Sequence, residues 1–201
     1  MSKYRLDNSP IYIDGSDVPK NKLGITDSKL IHEIENNLLL EAYEVFSQDI
    51  SVNTDFNEDY FKSLHKKTFE SLYNFAGLYR DMNMSKGDSQ FCLARYLESE
   101  SKRIFIELEK EKFLQLHTDR VVFAKRVAYY QGELIALHPF YEINGRILRL
   151  FFDLICLANG YRPIDYSNFI DNGQYIEASI ECVQFADTKK MEKIIIEGLS
   201  R

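Results

Sequence analysis

The sequence is short of the features that mark several protein classes. It has three cysteines in 201 residues, Cys92, Cys156 and Cys182. They are far apart, odd in number and form no C-x-x-C pair, which argues against a disulfide framework and against a zinc site. A reducing setting fits, and the chain is read as cytoplasmic. With nine glycines and four prolines, it does not read as linker-like, collagen-like or disordered. Basic residues are in deficit too: 25 Lys and Arg against 31 Asp and Glu leave a formal charge of −6. A broad basic face for nucleic acid is not expected, so any phosphate chemistry has to be focal. The N-terminal residues hold no apolar signal core, and the most apolar run, ILRLFFDLICLA, is broken by Arg149 and Asp153. Neither export nor a membrane span is expected.

What is present is a 45% hydrophobic, 28% charged chain of a length that suits one domain. Residues 1–24 mix Pro, Gly, Asp, Asn and Ser with isolated aromatics and read as an extended arm with turns, packed on a domain of residues 25–201. From Thr26 the spacing becomes helical, with Leu30, Ile34, Leu38 and Ala42 at four-residue steps and Asp27 or Ser28 as N-cap. A second helix carries Phe61, Leu64, Phe69, Leu72 and Phe75 and stops at Gly77. Two more follow, the latter ending by His138 because Pro139 disfavours helical backbone in the residue before it. NGRILRLFFDLICLANG is the most apolar helix and is expected to be central. GQYIEASIECVQFA and KKMEKIIIEG complete the set. Only LYRDMNMSKGDSQFCL, residues 78–93, reads as a β-hairpin. The fold class is therefore all-α with one short hairpin.

The chemistry concentrates in residues 138–149, HPFYEINGRILR. His138, at a helix end, can project into a cleft, and an imidazole with an ordinary pKa of about 6.5 is a natural general base; it could equally be a structural hydrogen-bonder. Glu142 could hold a magnesium ion bridging phosphates, or merely favour the positive end of the next helix. Asn144 and Gly145 open that helix, where backbone N–H groups make an anion site. Arg146 and Arg149, three apart, each carry a fork that fits phosphate oxygens. Base, acid, anion turn and clamps in this order can converge on one nucleotide.

HPFYEINGRILR resembles the core motif of Fic-domain proteins, H-P-F-x-[DE]-G-N-G-R-x-x-R, at every fixed position but one. FAGLYRDMNMSKGDSQFC is similar to the family's segment leading into its substrate-holding flap, and FFDLICLANGYRPIDY extends the likeness downstream, so that it covers residues 27–198. The resemblance implies a mainly helical Fic fold and transfer of AMP from ATP to a hydroxyl of a target protein. It implies His138 as the base that takes the target's proton and Glu142 as holder of Mg²⁺. Asn144, Gly145 and Arg146 would line the anion nest, and Arg149 would reach the γ-phosphate. Ser85, Lys86 and Gly87 of the flap would lie beside the nucleotide, although Lys86 could equally be a solvated turn residue. An extended target segment would pair with the flap at residues 78–93 by main-chain hydrogen bonds. Family precedent includes gyrase and topoisomerase ATPase subunits as targets.

Ile143 is the departure, standing where the family has glycine. A β-branched residue resists φ > 0, which costs an ordinary L-residue about 1–2 kcal/mol. Either the backbone here stays in an allowed region and the nest survives, or the pocket narrows and the protein is weak, silent or a transferase of another phosphate-containing group. Retention of the other motif residues favours the first. At the C-terminus, residues 188–198 resemble the family's inhibitory helix motif, [ST]-x-x-x-E-[GN], through Glu197 and Gly198, with Lys193 at the Ser/Thr position. That likeness implies a Glu197–Arg149 pair that restrains activity, and an oligomer; the plain alternative is an exposed acid beside a core-facing stripe.

Overall fold

A helix of residues Asn144–Ala158 is buried nearly all round, and the chain is arranged on it. The computed structural model describes residues 5–6 and 11–201. In chain order the elements are β1 (Arg5–Leu6), α1 (Ser28–Gln48), α2 (Glu58–Phe69), β2 (Met84–Lys86), β3 (Ser89–Gln90), a 3-10 turn (Ala94–Tyr96) running into α3 (Leu97–Lys110), α4 (Arg120–Leu137), α5 (Asn144–Ala158), α6 (Ser167–Asp171), α7 (Gln174–Phe185) and α8 (Lys189–Gly198). The expected all-α class with a hairpin is the class observed.

α5 can sit centrally because its charged residues, Arg146, Arg149 and Asp153, keep to its site-facing and α1-facing sides, while Phe151, Phe152, Leu154 and Ile155 are fully buried. Phe151 alone meets Phe56, Phe61 and Phe105 edge to face, with centroids 6.0, 5.1 and 6.0 Å away. Such pairs contribute about 0.5–1.5 kcal/mol each beyond area burial. α1, α2 and α4 pack on α5, and α8 covers α4.

Helix starts follow their caps. Asp27 accepts from Leu30 N at 2.7 Å, Asn57 from Tyr60 N at 2.9 Å, and Asp119 from Val121 N and Val122 N at 2.9 Å. Three details differ from the spacing argument. The buried side of α1 is Ile31, Glu35, Ala42 and Phe46, and Leu30 is exposed; a buried glutamate within the stripe shifts the apparent face by one residue. α2 ends at Phe69, and residues 70–78 turn back on themselves, so Leu72 and Phe75 reach the core from turns. The short α6 carries too few apolar residues to show a period.

The expected arm, residues 1–24, falls partly outside the described residues, at 1–4 and 7–10. Of the rest, residues 11–20 close a small loop with an isolated Tyr12–Pro19 bridge and an Ile13 N to Val18 O bond of 3.0 Å, and Val18 is buried. β1 adds to the hairpin as a third strand, in the order β1-β2-β3, both pairings antiparallel, with Arg5 opposite Ser85 and Ser85 opposite Gln90. Among the described residues no helix is long and apolar enough to cross a membrane.

Candidate active site

α4 ends where Pro139 requires it to. Its C-cap, His138, turns left-handed at φ 46°, ψ 59°, and the loop to α5 is built from reciprocal bonds. Asn144 Oδ1 accepts from Phe140 N at 2.8 Å while its Nδ2 donates to Phe140 O at 2.7 Å. The Asn144 side chain therefore braces the loop, and its backbone N–H lies at the helix start. At Ile143 the backbone is left-handed, φ 67°, ψ 10°. This corrects the expectation that an isoleucine keeps the turn in an ordinary region: the conformation suited to glycine is present with isoleucine in it. The side chain is buried in the core, and burying an isoleucine contributes about 1.5–3 kcal/mol, enough to offset the backbone cost.

α5 then starts without a capping side chain, so the first N–H groups of the helix are the ones an anion would take. The atom nearest to a Cβ placed on Gly145 would be Arg149 Nη1, 3.8 Å away; Gly145 and Arg149 thus face one space. That space is a cavity of about 560 Å³ whose walls include His138, Asn144, Gly145, Arg149, Lys86 and Gly87, within the usual size of small-molecule sites. Its far wall is apolar, with Ile176, Ile180 and Val183 of α7. Arg149 lies 5.4 Å from the Tyr175 ring centre, and Gln131 of α4 fixes that tyrosine by donating to its hydroxyl at 2.8 Å.

Two residues that the sequence did not single out set this geometry. Arg80 is buried, and its guanidinium donates to the carbonyls of His138 at 2.8 Å, Leu137 at 3.2 Å, Met82 at 2.6 Å and Cys92. It ties the end of α4 to both roots of the hairpin. Burial lowers its pKa to about 10, still charged at neutral pH. His65 of α2 is fully buried, and burial holds its pKa down at about 4. Neutral, it accepts from Gly77 N at 2.9 Å through Nδ1 and donates from Nε2 to Glu142 O at 3.2 Å, supporting the loop from below. Phe91 of the flap, read from sequence as packing, stacks on the His138 ring with centroids 3.8 Å apart and planes 13° apart. These partners act across long sequence separations, so no local spacing signals them.

The Fic/DOC family model matches residues 55–156. The chain belongs to the Fic/DOC family. Among Fic relatives, the protein adenylyltransferase VbhT of Bartonella schoenbuchensis is 35% identical over 201 residues, all of this chain and 41% of VbhT. The chain thus spans under half of that relative's length. A probable protein adenylyltransferase Fic of Escherichia coli is 30% identical over 101 residues, half of each chain. In fold, the crystal structure of BepC from Bartonella tribocorum with bound AMPPNP superposes with TM-score 0.80 at 22% identity, covering 94% of this chain and 95% of that one.

Not every residue expected from the Fic motif faces the cavity. Arg146 turns away: its fork closes on Glu35 Oε2 at 2.6 Å and Asn36 Oδ1 at 3.0 Å, and Glu35, 3% exposed, is held by the Tyr73 hydroxyl at 2.6 Å. A buried carboxylate on α1 has claimed the expected phosphate clamp. Glu142 meets the Tyr12 hydroxyl at 2.5 Å. Among the described residues there is no cluster of three or more His, Cys, Asp and Glu able to hold a metal by themselves. A single buried carboxylate does fit Mg²⁺, which is usually held by one or two carboxylates together with substrate phosphates. Ser85 is a ladder residue of β2, paired with Arg5 and Gln90.

The C-terminal helix corrects the expected inhibitory pair. Glu197 is exposed and faces Lys193, 3.9 Å away, while Arg149 is engaged with Tyr175. The cation that answers the end of α8 is Arg120, which donates to Ile196 O and Leu199 O, a favourable partner for the negative helix end. Gly198 has a packing reason: a Cβ there would strike the Asp165 carbonyl. Met191, Ile194, Ile195 and Leu199 form the buried stripe read from the sequence.

Proposed function

We propose that this chain transfers AMP from ATP to a hydroxyl side chain of a protein target. The observation that carries the reading is the convergence of His138, the open start of α5 and Arg149 on one cavity, with the left-handed turn retained at Ile143. The names of the relatives support the same activity. The target oxygen attacks the α-phosphorus, a new O–P bond forms, the bond to the β-phosphate oxygen breaks, and pyrophosphate leaves. His138 takes the hydroxyl proton. Its backbone is fixed by Arg80 through the His138 carbonyl and its ring plane by Phe91, so the base is positioned before the substrate arrives. N–H groups at the start of α5 receive phosphate oxygens, and Arg149, oriented by Tyr175, neutralises charge further along the chain. The apolar wall from α7 suits the nucleoside. Mg²⁺, when bound by Glu142, would neutralise phosphate charge.

The test is incubation with Mg-ATP labelled at the α- or the γ-phosphate. α-label should enter protein, and His138→Ala should abolish that entry while leaving ATP affinity, read by calorimetry, within about threefold. Incorporation of γ-label instead would replace AMP transfer by phosphoryl transfer. No incorporation of either label, with ATP bound, would make the chain a nucleotide-binding module.

A further inference from the structure

The flap has two edges, and they differ. β3 lies against α7, where Gln184 Nε2 donates to Ser89 Oγ at 3.2 Å, so no further strand can join on that side. The outer edge of β2 is the side on which an extended peptide could pair, and it is taken by β1, with Arg5 opposite Ser85 and Leu6 opposite Met84. A second contact ties the same N-terminal segment to the loop between α4 and α5. The Tyr12 hydroxyl donates to Glu142 Oε1 at 2.5 Å, from a loop closed by Lys20 N to Ile11 O at 2.7 Å.

We propose that the N-terminal segment is a resident strand: Arg5–Leu6 on the flap and Tyr12 on Glu142 hold the place where a target's extended segment pairs, and a target must displace them. Main-chain pairing is tolerant of side chains, which is why the chain's own backbone can occupy an edge meant for another protein's. Tethering gives the resident strand a high effective concentration, on the order of millimolar, so a free peptide competes poorly until the tethered strand is disabled. Tyr12 adds a second hold, on the α4–α5 loop, since its hydroxyl uses a Glu142 carboxylate oxygen that a metal would need. The inference rests on the transfer reading only for what the strand competes with.

The experiment uses the full chain carrying Arg5→Pro together with Leu6→Pro, because proline has no N–H to give to a ladder. A synthetic peptide of residues 1–13 is the probe, followed by fluorescence anisotropy. The variant should bind it at least about tenfold more tightly than the unaltered chain, and amide exchange at residues 84–86 should quicken in the variant and slow again when peptide is added. Tyr12→Phe, which leaves the ladder untouched, should tighten Mg-ATP binding by roughly threefold. Equal peptide binding by variant and unaltered chain, no peptide binding by the variant, or unchanged exchange would each overturn the proposal, provided that the variant's melting temperature shows it folded; if it does not, the Tyr12→Phe affinity decides. Transfer is scored separately: α-label entering lysate proteins should rise several-fold in the variant. His138-dependent labelling that is equal in both proteins sinks the resident strand and leaves transfer standing. Labelling absent from both, with peptide binding and exchange responding as expected, sinks transfer and leaves the strand.

Discussion

The first two turns of α5 have two faces that the sequence makes look alike. Arg146 and Arg149 are three residues apart and belong to one motif, yet Arg146 is locked to Glu35 and Asn36 of α1 while Arg149 looks into the cavity over Tyr175. The difference is set by what stands opposite. α1 presents a buried carboxylate that needs a counter-charge, since an unpaired buried charge is costly; α7 presents a phenol ring, which leaves the guanidinium's outer N–H groups for a ligand. One face is a structural seam and the other opens on the cavity.

Removing Arg146 should therefore show as lost stability. Arg146→Met leaves Glu35 buried beside only the Tyr73 hydroxyl, and breaking such a pair costs about 3–5 kcal/mol. Urea unfolding of Arg146→Met, of Glu35→Gln and of the double variant should give a coupling of about 0.5–3 kcal/mol, with the double variant more stable than Arg146→Met alone. A stability loss under about 1 kcal/mol would break the comparison. Arg149→Ala should do the reverse: transfer falls by about 100-fold with a small change in melting temperature. If ATP affinity depended on Arg146 as much as on Arg149, the two faces would share one function.

How far this division could be read in advance follows from the same contacts. α5, α7 and α8 are legible because their apolar residues recur at the helical period before clear stops such as Gly160, whereas α4, buried on most sides, is legible chiefly from its stop at Pro139. His138, Asn144, Gly145 and Arg149 are legible because they are contiguous and chemically complementary. Arg146 is not, because its partner lies on α1, where Glu35 also disguises the buried stripe as one running through Leu30. Arg80 and His65 are hidden for a related reason: each serves backbone groups distant in sequence, and such service has no residue-type pattern. Glu197 shows the opposite failure, a short motif match whose side chain faces solvent.

The seam has a second polar contact farther along, which gives a pH test of its extent. Asp153 of α5 accepts from the Tyr43 hydroxyl of α1 at 2.7 Å and from Ile164 N at 2.9 Å. Burial, opposed by those two bonds and by Arg149, raises its carboxyl to about 6 from the ordinary 3.8. The folded chain then keeps a proton between about pH 4 and 6 that the unfolded chain has released. Stability from this group is complete below about pH 4 and is lost as pH rises through 6, a change on the order of 2–3 kcal/mol. Asp153→Asn should flatten that part of the stability profile measured by denaturant unfolding. A profile with the same slope in both proteins would show that Asp153 is ionised throughout and that the seam ends nearer Arg146.

Ile143 belongs to both faces at once, and its replacement is the finest test. Its side chain is in the core and its backbone makes the left-handed entry to α5. Ile143→Gly relieves about 1–2 kcal/mol of backbone cost and forfeits about 1.5–3 kcal/mol of apolar burial, so the net loss should be near 1 kcal/mol by urea unfolding. The turn needs no change of shape to accept glycine, and the initial rate of α-label transfer should stay within about threefold. A rate gain of an order of magnitude would show that the isoleucine narrows the nest, and then the core side and the ligand side of this turn could not be separated as the two arginines are.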